Sequence, residues 1–213
     1  MGEAEHFSTP ARLAVLLSGS GRTLDNLILA IRERRLAAGI ALVVASKECL
    51  GATKARAAGI CTIVVMGEIP GAALARLLDE HRIDLVACAG YLKYLHVPPK
   101  YAGRIVNIHP ALLPAFGGPG MYGDRVHQAV LDSGAKRSGC TVHLVDEVFD
   151  HGRILLQRTC PVLPTDDRRT LAARVFAEEC AAYPAALQQF ILHGVQGTGA
   201  FTTERTKNTE KGL

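Results

Sequence analysis

The chain has 213 residues, of which 48% are hydrophobic and 21% charged, so it can bury a large core and is not a disordered, solvating chain. This length favours one domain, or one domain with a small extension, over two catalytic modules. The net charge of +4 suits a small anionic substrate. The low aromatic content of 5%, without tryptophan, argues against a nucleic-acid-binding face.

Localisation signals are not evident in the sequence. The first ten residues carry charges without the apolar segment of a signal peptide, and apolar runs such as Ile40–Ala45 are too short to cross a bilayer. We therefore predict a cytoplasmic protein that does not enter a membrane. The six cysteines are scattered without the close spacing of a zinc or redox pair, which predicts reduced thiols and no metal site.

The first half of the chain alternates between two periodicities. Short runs rich in Val, Ile and Leu predict five strands, at Arg12–Leu17, Gly39–Ala45, Cys61–Val65, Ile83–Ala89 and Arg104–Ile108. Helical stripes lie between them, at Leu24, Leu27, Ile28 and Ile31 and again at Leu74, Leu77, Leu78 and His81. This rhythm predicts an α/β fold with a single doubly wound, mostly parallel sheet flanked by helices. Ligands of such sheets gather at the carboxyl ends of the strands.

The second half breaks this rhythm. After a Gly/Pro-rich loop and a helix near Asp124–Ser133, two further strands are predicted at Gly139–Val145 and Ile154–Val162. The link between them is short, which favours an antiparallel C-terminal strand pair. A long C-terminal helix follows from Thr165–Asp167, with a bend expected at Pro184, and ends at Gly194. We predict one domain over residues 1–196 and a disordered tail over residues 197–213.

A glycine-containing turn, Ser18-Gly-Ser-Gly-Arg-Thr23, follows the first strand and opens the first helix. Backbone N–H groups at such a helix start can bind a phosphate. Leu24 replaces the third glycine of the dinucleotide fingerprint, and Ala45-Ser-Lys47 ends the second strand without a ribose-binding acid, so NAD is disfavoured. A tight turn without a ligand is the alternative interpretation.

Asn107 and His109 are the candidate catalytic pair, at the end of the fifth strand. Residues two apart on a strand share a face, so the two side chains project together. An amide donor beside an imidazole can stabilise an oxyanion and move a proton, as acyl transfer requires. A structural, hydrogen-bonded histidine is the alternative for His109 alone.

Asp150 lies in the polar link between the two late strands, next to the tight turn at Gly152. If its carboxylate reaches His109, it favours the imidazolium and raises the pKa of that histidine. A solvated hairpin tip is the simpler interpretation of Asp146 and Glu147.

Glu179 falls within the apolar stripe of the last helix. A carboxylate on a core-facing position needs a partner or a shifted pKa. That partner is either internal, for example Arg174 or Lys54, or the hydroxyl groups of a ligand.

Together these segments resemble the phosphoribosylglycinamide formyltransferase family, over about residues 12–192. The resemblance is carried by five motifs: Ser18-Gly-Ser-Gly, Asp84-Leu-Val-Ala-Cys-Ala-Gly-Tyr-Leu-Lys-Tyr-Leu95, Asn107-Ile-His-Pro-Ala-Leu-Leu-Pro114, Asp150-x-Gly-x-Ile154 and Glu179-x-x-x-Tyr183-Pro184. The resemblance implies transfer of a formyl group from 10-formyltetrahydrofolate, as co-substrate, to the amine of glycinamide ribonucleotide. It also implies a monomer or homodimer that acts on small molecules.

The resemblance also implies roles for individual residues. Asn107, His109 and Asp150 form the catalytic set. The substrate phosphate lies on Gly19, Ser20 and Gly21, and Glu179 holds the ribose. The folate pterin packs near a set of residues from two segments: Leu92, Lys93, Tyr94, Leu95, Val145 and Asp146.

The chain departs from the family pattern near these sites. Its loop over residues 115–127 is longer than in the shorter-looped members. Ser20, Arg22 and Thr23 replace residues that are often Asn or Ser, and Lys93 replaces a common arginine. We expect the length to exclude relatives with an additional domain. The alternatives are a formyltetrahydrofolate hydrolase, a formyltransferase for another small amine, and a binding protein on the same fold.

Overall fold

The computed structural model describes residues 10–193 and the backbone of residues 201–202. The strands are β1 (Ala11–Leu17), β2 (Ala38–Ala45), β3 (Thr62–Val64), β4 (Leu85–Cys88), β5 (Ile105–His109), β6 (Arg137–Leu144), β7 (Ile154–Pro161) and β8 (Phe201–Thr202). The helices are α1 (Arg22–Arg32), α2 (Leu50–Ala57), α3 (Gly71–Glu80), α4 (Asp124–Asp132) and α5 (Arg168–His193), with a short 3₁₀ turn at Pro99–Tyr101.

One mixed sheet contains these strands in the order β3-β2-β1-β4-β5-β6-β7-β8. Strands β1 to β5 are parallel to one another. Strand β6 runs antiparallel to β5 and to β7, so the predicted parallel sheet with an antiparallel C-terminal pair is confirmed. The two-residue strand β8 pairs parallel to β7.

Side chains on both faces of the sheet are buried, which explains the continuous apolar runs. On β1, Leu13 and Val15 pack into one core with α1 and α5, whereas Ala14 and Leu16 pack into a second core with α3. All four are fully buried. The three-layer arrangement leaves the carboxyl ends of β1, β4 and β5 at the same edge.

Helix α2 was not predicted because it lacks a stripe of large apolar residues. Its buried positions are Gly51, Ala52 and Ala55. These small residues bring the helix close to the chain after β1, where the N–H of Gly51 donates to the carbonyl of Gly19 over 2.9 Å.

The long helix α5 is confirmed, with Pro184 buried inside it. Beside the proline, the hydroxyl of buried Tyr183 lies 3.0 Å from the carbonyl oxygen of Cys88 and 2.9 Å from that of Val106. These contacts fix α5 against β4 and β5. The predicted tail and the domain limit at residue 196 lie outside the described residues, apart from residues 201–202.

Candidate active site

A cavity of about 400 Å³ opens at the carboxyl ends of β1, β4 and β5. It has the size of a typical ligand site and lies where an open α/β sheet binds its ligands. The residues proposed from the sequence all line this one cavity: Gly19, Ser20, Gly21, Leu92, Lys93, Tyr94, Leu95, Asn107, His109, Val145, Asp146, Asp150 and Glu179. The fold therefore brings together segments that are far apart in the chain.

The glycine turn, Gly19–Gly21, forms one end of the cavity. Gly21 has a φ of 73°, and a Cβ at this position would lie 2.7 Å from the Cα of Gly51, so only glycine fits. Among the described residues, no side chain caps α1. Its first N–H groups therefore remain available to an anion.

Ser18 holds the glycine turn in place through buried hydrogen bonds. Its buried Oγ accepts the N–H of Leu92 over 2.9 Å and the hydroxyl of Ser46 over 2.7 Å. The serine thus joins the chain segments that follow β1, β2 and β4, and so holds the floor of the cavity.

His109 is buried, with 3% of its surface exposed, and both ring nitrogens face protein oxygens. Its Nε2 lies 2.8 Å from the carbonyl oxygen of Phe116, which only accepts, so Nε2 carries a proton. Its Nδ1 lies 3.5 Å from Oδ2 of Asp150. The N–H of Gly118 donates to the same carboxylate oxygen over 3.0 Å. The Gly/Pro-rich loop therefore contacts both members of the pair.

Burial and the charge of Asp150 act in opposite directions on the pKa of His109. Burial lowers the pKa of His109 below its ordinary value, and this outweighs Asp150 and the Phe116 carbonyl, which act to raise the pKa. Asp150 therefore acts on the pKa of His109 in the expected direction, and burial has the larger, opposite effect. The pKa of Asp150 is lowered: burial acts to raise it, and contacts with His143, His109 and the Gly118 N–H outweigh burial.

His143 is a member of the site that sequence analysis missed. It lies opposite Asn107 in the β5–β6 pair. Its Nδ1 lies 2.8 Å from the carbonyl oxygen of Leu144, and its Nε2 lies 3.1 Å from Nδ2 of Asn107 and 3.6 Å from Oδ1 of Asp150. The amide of Asn107 is thereby oriented, and its second N–H is left for the cavity. In the sequence, the alternation of Thr141 and His143 on β6 indicates that the two side chains share a face of the strand. Only the register of β6 against β5 shows that His143 lies beside Asn107.

The link between β6 and β7 places Asp150 by close backbone contacts. Asp150 itself has a φ of 53°, an unusual conformation for a non-glycine residue. A Cβ on Gly152 would lie 1.8 Å from the carbonyl oxygen of Leu144. Glycine is thus required at residue 152 for the link to fold back, which explains the Asp-x-Gly spacing.

Glu179 has neither of the internal partners that the sequence offered. Arg174 pairs with Asp166, and Lys54 pairs with Asp25 over 2.6 Å. Glu179 forms no hydrogen bond or ion pair with any residue that the structure describes. Burial raises its pKa to about 7, with the charge of Arg22 acting in the opposite direction. A cavity-lining carboxyl without a protein partner is suited to a ligand's hydroxyl groups.

We predict that Glu179→Gln stabilises the free protein at high pH. The pKa of the Glu179 carboxyl is about 7 in the folded protein and 4.5 ordinarily, so the native state resists its ionisation. The stability of the wild type therefore falls as the pH rises from the lower of these values to the higher. The expected difference in unfolding free energy is zero below the lower value and about 3 kcal/mol above the upper one, at about 1.4 kcal/mol per tenfold change in proton affinity.

Denaturant unfolding of both proteins at several pH values measures this difference. The control is Glu178→Gln, which removes a charge at the preceding position and breaks an ion pair with Arg158, and which is not expected to gain stability. A Glu179→Gln difference that does not change with pH would contradict the prediction.

Another part of the cavity lining is aromatic and apolar. Tyr94 donates its hydroxyl hydrogen to the carbonyl of Glu147 over 2.9 Å, and its ring meets Phe149 edge-on at 5.5 Å. Leu92 and Phe149 are 52% and 45% exposed. These side chains offer an apolar surface to a flat ring, and Lys93 lines the same cavity.

The described residues carry no metal-binding cluster, disulfide or membrane-spanning helix. No group of three or more His, Cys, Asp or Glu residues that could hold a metal lies within this part of the chain. All six cysteines are described, and none forms a disulfide there. No described helix is long and apolar enough to span a membrane.

The family model and the similar proteins of known sequence point to the same family, the formyl transferases. The family model for formyl transferase matches residues 11–187. The chain is 44% identical over 181 residues to the chloroplastic phosphoribosylglycinamide formyltransferase of Vigna unguiculata, covering 81% of this chain and 58% of the relative. It is 39% identical over 204 residues to the trifunctional purine biosynthetic protein adenosine-3 of Drosophila melanogaster, covering 91% of this chain and 14% of the relative.

Solved structures agree with this family. Glycinamide ribonucleotide transformylase 1 from Symbiobacterium toebii superimposes with a TM-score of 0.78 at 34% identity, covering 90% of this chain and 93% of that structure. The described fold is therefore shared with that transformylase.

Proposed function

The chain belongs to the formyl transferase family, and we propose that it transfers the formyl group of 10-formyltetrahydrofolate to the amine of glycinamide ribonucleotide. The names of its relatives support the transfer of a formyl group to this ribonucleotide acceptor. The observation that carries the proposal is the convergence of Asn107, His109 and Asp150 in a cavity that also contains the glycine turn and Glu179.

The reaction needs a stabilised oxyanion and a moved proton. The substrate amine attacks the formyl carbon, and a bond forms between nitrogen and carbon. The free N–H of Asn107 and the imidazole of His109 then stabilise the negative oxygen of the tetrahedral intermediate. The bond from the formyl carbon to folate N10 breaks, the amine loses one proton, and N10 gains one.

The geometry of His109 adds a step to this mechanism. In the free protein its Nε2–H is used by the carbonyl of Phe116. We propose that the substrate oxyanion replaces this carbonyl as the acceptor. The developing negative charge then favours the imidazolium, and Asp150 accepts the new Nδ1–H, so His109 becomes charged when the reaction requires it.

The remaining binding roles follow two parts of the cavity lining. We propose that the glycine turn binds the phosphate and that Glu179 binds the ribose. The folate is proposed to lie along Leu92–Leu95 and Val145–Asp146. Small-molecule substrates and a cytoplasmic location belong to the same proposal, with the protein acting as a monomer or homodimer.

An assay of the purified protein with both substrates tests the function. We expect formyl transfer that depends on glycinamide ribonucleotide. The same assay without the ribonucleotide tests the hydrolase alternative, because water would then accept the formyl group. Formyl release at an equal rate in both assays would favour hydrolysis, and binding of both substrates without turnover would favour a binding protein.

A further inference from the structure

Arg22 places a guanidinium at the cavity. It is the first residue of α1, directly after the glycine turn, and its Cζ lies 3.7 Å from the centroid of the Phe176 ring on α5. Within the part of the chain that the structure describes, Arg22 forms no hydrogen bond or ion pair. A guanidinium held over an aromatic face keeps its N–H donors available at its edge.

The other charged side chains around the turn do not compete for this role. Lys54 approaches Gly21, with its Cδ 3.5 Å from the position a Cβ would take, but it pairs with Asp25 over 2.6 Å. Glu179 lies one helical turn after Phe176, lines the same cavity and has no described partner. Arg22 is therefore a cation at the turn that the described residues leave unpaired.

We propose that Arg22, held in place by Phe176, binds the phosphate of the acceptor substrate and makes the protein selective for phosphorylated acceptors. This inference rests on the proposed function and names the residue that would confer its phosphate specificity. The planar guanidinium donates two parallel hydrogen bonds to phosphate oxygens, while N–H groups of the turn approach from the backbone. Phe176 acts as a positioning residue because stacking restricts the arginine rotamers before the ligand arrives.

The neighbouring carboxyl supports the same arrangement. Arg22 is the cation that acts to lower the raised pKa of Glu179, so the two groups are close enough to interact. A phosphate dianion would compete with Glu179 for the guanidinium and keep this carboxyl protonated. A protonated Glu179 can then donate a hydrogen bond to a ribose hydroxyl.

Steady-state kinetics of Arg22→Ala and Phe176→Leu test the proposal. We expect Arg22→Ala to raise the KM for glycinamide ribonucleotide at least ~10-fold, the scale of a lost charge-assisted hydrogen bond. The KM for 10-formyltetrahydrofolate is expected to stay within ~2-fold, and Phe176→Leu is expected to raise the ribonucleotide KM less than Arg22→Ala does. Arg22→Lys keeps the charge without the fork and is expected to be intermediate.

Arg32→Ala is the matched control, since it removes an exposed arginine from the end of the same helix. We expect it to leave both KM values unchanged. An unchanged ribonucleotide KM in Arg22→Ala, or equal rises for both substrates, would overturn the role of Arg22.

A binding measurement separates this inference from the proposed function. Calorimetry with ribose 5-phosphate is expected to show binding to the wild type and at least ~10-fold weaker binding to Arg22→Ala, whether or not the protein transfers formyl groups. Inorganic phosphate is the second probe, which shows whether the phosphate alone is sufficient. Failure of the wild type to bind ribose 5-phosphate would overturn the inference, even if formyl transfer were observed.

Discussion

Replacement of His109 by alanine is expected to lower kcat for formyl transfer by at least ~10²-fold, the scale of a lost general acid. The imidazole lies at the end of β5, and both of its nitrogens face oxygens that can share its protons. Alanine removes the donor to the oxyanion and the partner of Asp150 together. Because the interaction is made with the transition state, kcat is expected to fall more than either KM rises.

The measurement is steady-state kinetics on folded protein, with circular dichroism and thermal unfolding as checks on the fold. His151→Ala is the matched control, because this histidine is exposed in the same polar link and pairs with Asp146 over 3.0 Å. We expect the control to keep nearly full activity. Wild-type turnover in His109→Ala would remove the histidine from the mechanism.

Replacement of Asp150 by asparagine is also expected to cost at least ~10²-fold in kcat. Its carboxylate faces Nδ1 of His109 at 3.5 Å and Nε2 of His143 at 3.6 Å, and it accepts the N–H of Gly118. Asparagine keeps the shape but loses the negative charge that stabilises the imidazolium. The variant therefore separates the electrostatic role of Asp150 from its packing.

The pH dependence of this variant gives a second, independent signal. Asp150 acts to raise the pKa of His109, so without its charge that pKa falls further. A histidine with a lower pKa becomes neutral at a lower pH. As the pH is raised, the rate of the variant is therefore expected to begin falling at a lower pH than that of the wild type. Glu147→Gln removes a charge from an exposed position in the same link and should shift neither rate nor profile. An unshifted profile in Asp150→Asn would contradict the electrostatic role.

The sheet was predictable because each of its elements has a local cause. Strands buried on both faces, such as β1 and β4, are continuous apolar runs, and the short link before Ile154 enforced an antiparallel return. Helix α2 escaped prediction because its contact with the turn depends on Gly51 and two buried alanines, whose small size carries little periodic signal.

The residues of the candidate site could be predicted from the sequence, but their mutual contacts could not. Motif spacing indicated Asn107, His109 and Asp150, which the fold brings to one cavity. Their contacts with His143 and the Phe116 carbonyl were not predicted, because these depend on the β5–β6 register and on a loop of irregular conformation. The effect of burial on the pKa of His109 was not predicted either, since the burial of a residue cannot be read from its neighbours in the chain.

The sequence by itself determined the α/β architecture, the glycine turn and the polar side chains at the strand ends, because periodicity and backbone requirements act within short stretches of chain. Only the tertiary structure decided how these groups are paired. It left Glu179 without the partners the sequence offered and placed Arg22 over Phe176, two residues 154 positions apart in the chain. Ion pairing, burial and stacking depend on distances in space, which packing of the helices on the sheet sets.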